Sequence, residues 1–196
     1  MDNKSYQDHY FNKAKNLGYR SRSAFKLLEL NDKFKFLKNQ ISLLDLGSFP
    51  GGWCQVANQK IKDGKILGID KKIVEKIKGV KLIEGDFLDE NVRNSISKYF
   101  DSKVDVVLSD MAANTTGNKS LDCIRTNQLC SEVLDFSKKV LSKNGVVVSK
   151  LFMGEDFEDV KLKAKKNFKK INLFKPKSSK SESKETYLYC IGLYTL

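Results

Sequence analysis

The chain of 196 residues is one domain's worth of polypeptide and can bury a substantial core, which excludes stapled miniproteins and multidomain assemblies. Its composition, 40% hydrophobic and 31% charged, is that of a globular protein, and no apolar run approaches the ~20 residues of a membrane span. The net charge of +12 lies in two segments, nine bases against four acids in residues 1–38 and ten lysines against one acid in residues 161–184. This is a footprint for a polyanion, unless it is only a lysine-rich solvated surface.

Residues 1–17 read as a basic N-terminal extension and residues 18–196 as a single domain, since no repeat or Pro/Gly/Ser linker divides the sequence. The opening residues lead into no apolar signal core, so a cytoplasmic address is expected, or an organellar one if the source is eukaryotic. A helix is predicted over residues 21–30 and a strand over 41–46. That strand runs into Asp45-Leu46-Gly47-Ser48-Phe49-Pro50-Gly51-Gly52-Trp53, followed by a helix over 53–60. Glycines at the carboxyl end of a strand let a ligand approach the backbone, and GxxPGG lacks the GxGxxG phosphate cradle, which favours a ligand without a pyrophosphate.

Further strands are predicted over 66–69, 81–83, 104–108 and 146–151, with helices over 126–141 and 156–168. A late hairpin of 171–174 with 186–194 closes the sheet with an antiparallel strand. Alternating strands and helices imply βαβ units and a mostly parallel sheet covered on both faces. Asp70 follows the second strand, where it is placed to accept hydrogen bonds from ribose hydroxyls, and Asp86 follows the third, within reach of an adenine amino group. Each acid alone reads equally as a helix cap; together with the glycine loop they describe an adenosine site.

Asp110 follows the strand Val104-Asp105-Val106-Val107-Leu108-Ser109. Lys150 interrupts the apolar run Val146-Val147-Val148-Ser149-Lys150-Leu151-Phe152, where a lysine is costly unless paired, useful or snorkelling from the strand end. Lys26 and Glu185 taken singly read as surface residues. The lone His9 removes Ser/His/Asp and Cys/His hydrolysis, and Cys54, Cys123, Cys130 and Cys190 have no zinc spacing and read as buried free thiols. No metal site is expected, and acid/base chemistry falls to Lys, Asp, Glu or Tyr.

With these residues in place, the chain resembles the FtsJ/RrmJ family of S-adenosylmethionine-dependent RNA ribose 2′-O-methyltransferases. Five segments carry the resemblance, in the family's order: Gly18-Tyr19-Arg20-Ser21-Arg22-Ser23-Ala24-Phe25-Lys26-Leu27, the glycine loop from Asp45 to Trp53, Ser109-Asp110-Met111-Ala112-Ala113-Asn114, Val148-Ser149-Lys150-Leu151-Phe152 and Ser183-Lys184-Glu185-Thr186-Tyr187. The resemblance implies a Rossmann-like seven-stranded sheet with one antiparallel strand. It implies a catalytic tetrad at Lys26, Asp110, Lys150 and Glu185, and S-adenosylmethionine held by Gly51, Trp53, Asp70, Asp86 and Asp110. Ser48-Phe49 replaces two small residues usual before Pro-Gly-Gly, and Ala113 replaces a usual proline.

The expected reaction is methylation of a ribose 2′-hydroxyl, of a uridine, in ribosomal RNA of the large subunit or its precursor, by a monomer that needs no membrane. Arg20, Arg22, Lys175, Lys177, Lys180 and Lys184 are the expected RNA contacts. Lys150 either accepts the hydroxyl proton or stabilises the developing alkoxide, with Asp110 orienting it, Lys26 tuning its charge and Glu185 positioning the acceptor ribose or a lysine. To act as base, its pKa must fall by about three units; burial and Lys26 push that way and Asp110 pushes back. The alternatives are a tRNA anticodon-loop methyltransferase and a non-catalytic RNA-binding assembly factor on the same fold. A nicotinamide oxidoreductase is disfavoured by the glycine spacing.

Overall fold

The computed structural model describes residues 3–194, with side chains from His9 onward; residues 1 and 2 of the expected N-terminal extension 1–17 and residues 195 and 196 of the expected domain 18–196 lie outside the described residues. Seven strands, β1 (Ser42–Leu46), β2 (Lys65–Asp70), β3 (Lys81–Glu84), β4 (Val104–Ser109), β5 (Leu141–Phe152), β6 (Phe168–Phe174) and β7 (Glu185–Leu193), form one sheet in the order β3-β2-β1-β4-β5-β7-β6. The first five pair in parallel. β7 runs antiparallel to both β5 and β6. It is therefore the one antiparallel strand of the expected Rossmann-like sheet, last in the chain but second from the edge.

Strand period decides the two faces. Leu44, Leu46, Leu67, Val107, Val147 and Leu188 point to the face covered by α4 (Glu90–Phe100), α5 (Lys119–Val140) and α6 (Phe157–Asn167). Leu43, Ile66, Leu108, Val148 and Tyr187 point to the face covered by α2 (Ser23–Phe34) and α3 (Gly52–Lys60). α1 (Asn3–Asn16) lies on α2, where Ala14 is buried, Tyr10 packs on the Phe25 ring at 5.3 Å between centroids, and Lys13 Nζ stands 5.1 Å from that ring. All four cysteines are buried as free thiols.

Two helices, α1 and α4, go beyond the sequence-based expectation. In α4 Val92, Ile96, Tyr99 and Phe100 meet the core, while Asn91, Asn94, Ser95 and Ser97 favour turns and caps. The helix exists because Asp89 caps it, accepting from Asn91 N–H, and because those four side chains pack on the core. α5 begins at Lys119, seven residues before the predicted start, on the Asn118 side chain that accepts from Ser120 and Leu121 N–H.

α5 also fixes the carboxyl end of β5. Fully buried Asn127 donates to Phe152 O at 3.0 Å and accepts from Phe152 N–H at 2.8 Å, mimicking a sheet partner for a residue at the strand's end. Thr126 Oγ1 accepts from Ala113 N–H at 3.1 Å and so holds the loop after β4. Replacing Asn127 by Ala leaves both backbone groups of Phe152 without these partners, and should lower the unfolding free energy by about 2–3 kcal/mol, measured by urea denaturation.

Candidate active site

The carboxyl ends of the parallel strands form the rim on which a doubly wound sheet holds its ligand. On β4, β5 and β7 the alternation that directs Leu108, Val148 and Tyr187 to the α2 face directs Asp110, Lys150 and Glu185 to the same face, two residues further. Register then brings them together: Ser109 pairs with Ser149, Lys150 with Tyr187 and Phe152 with Glu185. Lys26 completes the group from α2. The tetrad inferred by resemblance is a contiguous cluster.

Its geometry is a chain of alternating charges. Lys150 Nζ lies 3.0 Å from Asp110 Oδ1, donates to Asp110 O at 2.8 Å and lies 3.6 Å from Glu185 Oε2. Lys26 Nζ meets Glu185 Oε1 at 2.7 Å and Oε2 at 2.9 Å. Tyr187, not singled out in the sequence, donates its hydroxyl to Asp110 Oδ1, and Ser179 Oγ donates to Glu185 Oε1 at 2.7 Å. Two cations and two anions, all largely buried, balance one another, which is the condition under which buried charges persist.

That balance bears on which of the two charge states left open for Lys150 the site favours. Burial pushes its ammonium toward deprotonation, but Asp110 and Glu185, both within ion-pair distance, outweigh burial and hold its pKa above the ordinary lysine value. Lys26, expected to depress it, is itself paired with Glu185 at 2.7 Å. Burial likewise pushes Asp110 up, and the charges of Lys150 and Lys26 with the Tyr187 hydroxyl outweigh it, leaving Asp110 below the usual carboxylate range. Tyr187 is held well above its ordinary value by burial and the two carboxylates, so it remains a phenol that donates.

Acids line the neighbouring strand ends. Asp70 accepts from Phe49 N–H at 2.9 Å and Lys72 N–H at 2.8 Å, one on each oxygen, which leaves each oxygen a further acceptor site. Asp86 pairs with Lys71 at 2.7 Å and accepts from Leu88 N–H; burial raises its pKa, but these partners outweigh that and lower it. Asp70, Asp86 and Asp110 form an anionic rim with free acceptor capacity, an acceptor set that suits a cationic nucleoside. Trp53 is buried against Tyr187 with its indole N–H on Ser23 O at 2.9 Å, so what it offers a ligand is its backbone in the first turn of α3.

The glycine loop is packed from within as well as open from without. Gly51 has φ +112°, and a Cβ there would meet Arg20 Nη1 at 2.9 Å and Ile77 Cδ1 at 3.0 Å. Arg20 itself donates to Pro50 O at 3.2 Å, Glu75 O at 2.7 Å and Lys76 O at 3.1 Å. Its guanidinium therefore ties the glycine loop to the segment after Asp70, an arrangement that a basic residue in a basic segment did not disclose. Beneath the loop, fully buried Asp45 accepts from Cys54 Sγ–H at 3.2 Å, and burial raises its pKa to about 7.

The other basic candidates divide. Arg22 donates to Ser178 O at 2.8 Å, and Lys175 to Ser181 O at 3.0 Å and Ser183 O at 2.7 Å, so these three contacts shape the loop between β6 and β7. Lys177, Lys180 and Lys184 stand exposed on that loop, which leads into Glu185. The remaining lysines of the basic run lie elsewhere: Lys161 pairs with Glu158 at 2.6 Å, Lys163 with Asp135 at 2.5 Å, and Lys169 and Lys170 flank the exposed side of edge strand β6. Lysines on an edge strand oppose strand addition by another chain, so part of the positive charge serves the sheet.

A sequence model of the FtsJ-like methyltransferases matches residues 19–193. The Ribosomal RNA large subunit methyltransferase E of Pelagibacter ubique is 47% identical over 188 residues, 96% of this chain and 93% of that protein. The protein of the same name from Rickettsia akari is 44% identical, covering 94% of this chain and 84% of its own length. Among solved structures, a chain assigned as a ribosomal RNA methyltransferase from Plasmodium falciparum superposes with a TM-score of 0.81 at 34% identity, covering 89% of this chain and 98% of that one.

Two substitutions test the electrostatics and the clamp. The folded protein keeps Asp45 protonated up to about pH 7, whereas the unfolded chain loses that proton near 3.8, so Asp45 opposes folding increasingly as pH rises between those values. The stability of the wild type relative to Asp45→Asn should accordingly fall from pH 4 to pH 7, followed by urea titrations. Arg20→Ala removes three charge-assisted bonds to backbone carbonyls, and a loss of about 2 kcal/mol is expected in the same assay.

Proposed function

Because the chain belongs to the FtsJ-like methyltransferase family, we propose that it methylates the ribose 2′-hydroxyl of a uridine in large-subunit ribosomal RNA, with S-adenosylmethionine as donor. The observation that carries this reading is the compensated cluster Lys26–Glu185–Lys150–Asp110 on a rim of acids at the strand ends. A 2′-hydroxyl needs a positioned cation or base to become a nucleophile, and the cluster offers a buried ammonium held between two carboxylates. The relatives' names support ribosomal RNA as the substrate class.

When bound, the cofactor supplies a methyl group on a sulfonium, electrophilic toward the ribose oxygen. In this reading Asp70 would accept from the cofactor's ribose hydroxyls, Asp86 from its adenine amino group, and the backbone of Gly51 and Trp53 would hold its methionine end. Lys150 Nζ donates to the acceptor 2′-oxygen and stabilises the charge that develops there. As the 2′-oxygen attacks, its proton would pass to Asp110 Oδ2, while the donor's carbon–sulfur bond would break to leave a neutral thioether. Lys26 keeps Glu185 ionised and in place, and Glu185 holds the far side of Lys150. Most of the acceleration comes from fixing the two reactants in line.

The same reading assigns catalysis to one domain, residues 18–196, preceded by residues 1–17, working as a monomer in the cytoplasm. Lys177, Lys180 and Lys184 hold phosphates beside the acceptor, with Arg20, Arg22 and Lys175 acting by shaping the loops from which they project.

Labelled methyl from S-adenosylmethionine should enter the RNA of undermethylated large ribosomal subunits and map to a uridine 2′-oxygen, with Lys150→Ala slowing transfer about 100- to 1,000-fold. Label on tRNA alone, or an undiminished rate in the variant, would contradict the proposal. Affinity for that RNA should fall steeply as salt is raised, and replacing Lys177, Lys180 and Lys184 by Ala should reduce the slope of log affinity against log salt by about two to three, measured by filter binding.

A further inference from the structure

α2 carries a charged stripe, Arg22, Lys26 and Glu29, at i, i+4 and i+7, one face of a helix. Every member of the stripe bonds to one stretch of chain, the loop and strand start between β6 and β7. Arg22 donates to Ser178 O at 2.8 Å, Glu29 accepts from Lys177 N–H at 2.5 Å and Ser178 N–H at 3.0 Å, and Lys26 pairs with Glu185. The loop is held like a strap across α2, more than 140 residues away in sequence. Within this lysine-rich, exposed loop Ser178 and Ser179 are both buried. Burial of a hydroxyl in such a loop calls for a partner, and Ser179 has one: Glu185 Oε1 at 2.7 Å.

We infer that Ser179 is a positioning residue that sets the orientation of the Glu185 carboxylate between Lys26 and Lys150. The torsion that turns a glutamate carboxylate is broad, so hydrogen bonds rather than rotamer preference set its plane. Lys26 bonds both oxygens and does not discriminate between them. Ser179 binds Oε1 alone, which leaves Oε2 as the oxygen facing Lys150 at 3.6 Å. The strap thus joins two duties. Its exposed lysines stand where RNA phosphates are proposed to lie, and its buried serine holds the group that flanks the proposed catalytic ammonium.

This inference rests on the reading that Glu185 works at the acceptor site, and the test separates the two. Single-turnover methyl transfer to undermethylated large ribosomal subunits is measured against subunit concentration for the wild type, Ser179→Ala, Ser179→Thr, Glu185→Gln and the Ser179→Ala/Glu185→Gln pair. Loss of one charge-assisted bond should slow the maximal rate of Ser179→Ala about tenfold, with half-saturation by subunits changed less than about twofold. Ser179→Thr, which keeps the hydroxyl, should recover most of that loss. The double variant should be no slower than Glu185→Gln alone, because the serine acts only through the carboxylate. A wild-type rate in Ser179→Ala beside a slow Glu185→Gln overturns the inference alone, as does a full further tenfold loss in the double variant. A wild-type rate in Glu185→Gln overturns the reading beneath it as well.

Discussion

The upper edge of this protein depends on a lysine that is buried and charged at once. Lys150 lies near the end of β5, shortly after Val146, Val147 and Val148, in an environment that would expel a lone ammonium, and it stays because Asp110 and Glu185 lie on either side. Each carboxylate is in turn balanced: Asp110 by the Tyr187 hydroxyl as well as Lys150, and Glu185 by Lys26 and Ser179. Removing any one member leaves an uncompensated charge in low dielectric, so the four side chains and the elements that bear them form a cooperative unit.

The rest of the fold serves to bring that unit together. Parallel strands β4 and β5 supply Asp110 and Lys150 as neighbours, and the antiparallel return of β7 beside β5 places Glu185 and Tyr187 across from them. α2 closes the group from above the sheet with one charged stripe. Arg20, just before that helix, reaches to the glycine loop and the segment after Asp70. The proposed cofactor rim and the proposed acceptor site are therefore braced by the same stretch of chain, residues 20–29.

Much of this was legible before any coordinates. The strand runs, their alternation with helices and the expense of Asp110 and Lys150 beside valine-rich stretches are local signals, and the resemblance added Lys26 and Glu185, which alone read as surface. What was illegible depends on partners distant in sequence. The direction in which Lys150 is shifted is set by Asp110, forty positions away, and Glu185, and Lys26 could not be recognised as already paired. Arg20 looked like a phosphate contact because its acceptors are backbone carbonyls, which no side-chain pattern betrays. α4 escaped notice because its Asn and Ser residues favour turns, whereas the Asp89 cap and packing against the core decide for a helix.

The central claim is that Lys150 is an ammonium at neutral pH, and its own titration tests it most directly. The chain would be labelled with 13C at the lysine ε-carbons, the Lys150 resonance assigned by its loss in Lys150→Arg, and its shift followed from pH 6 upward. The account predicts no titration until the pH passes the ordinary lysine value of ~10.4. A titration step centred near pH 7 would contradict it, and would return Lys150 to the role of a neutral base.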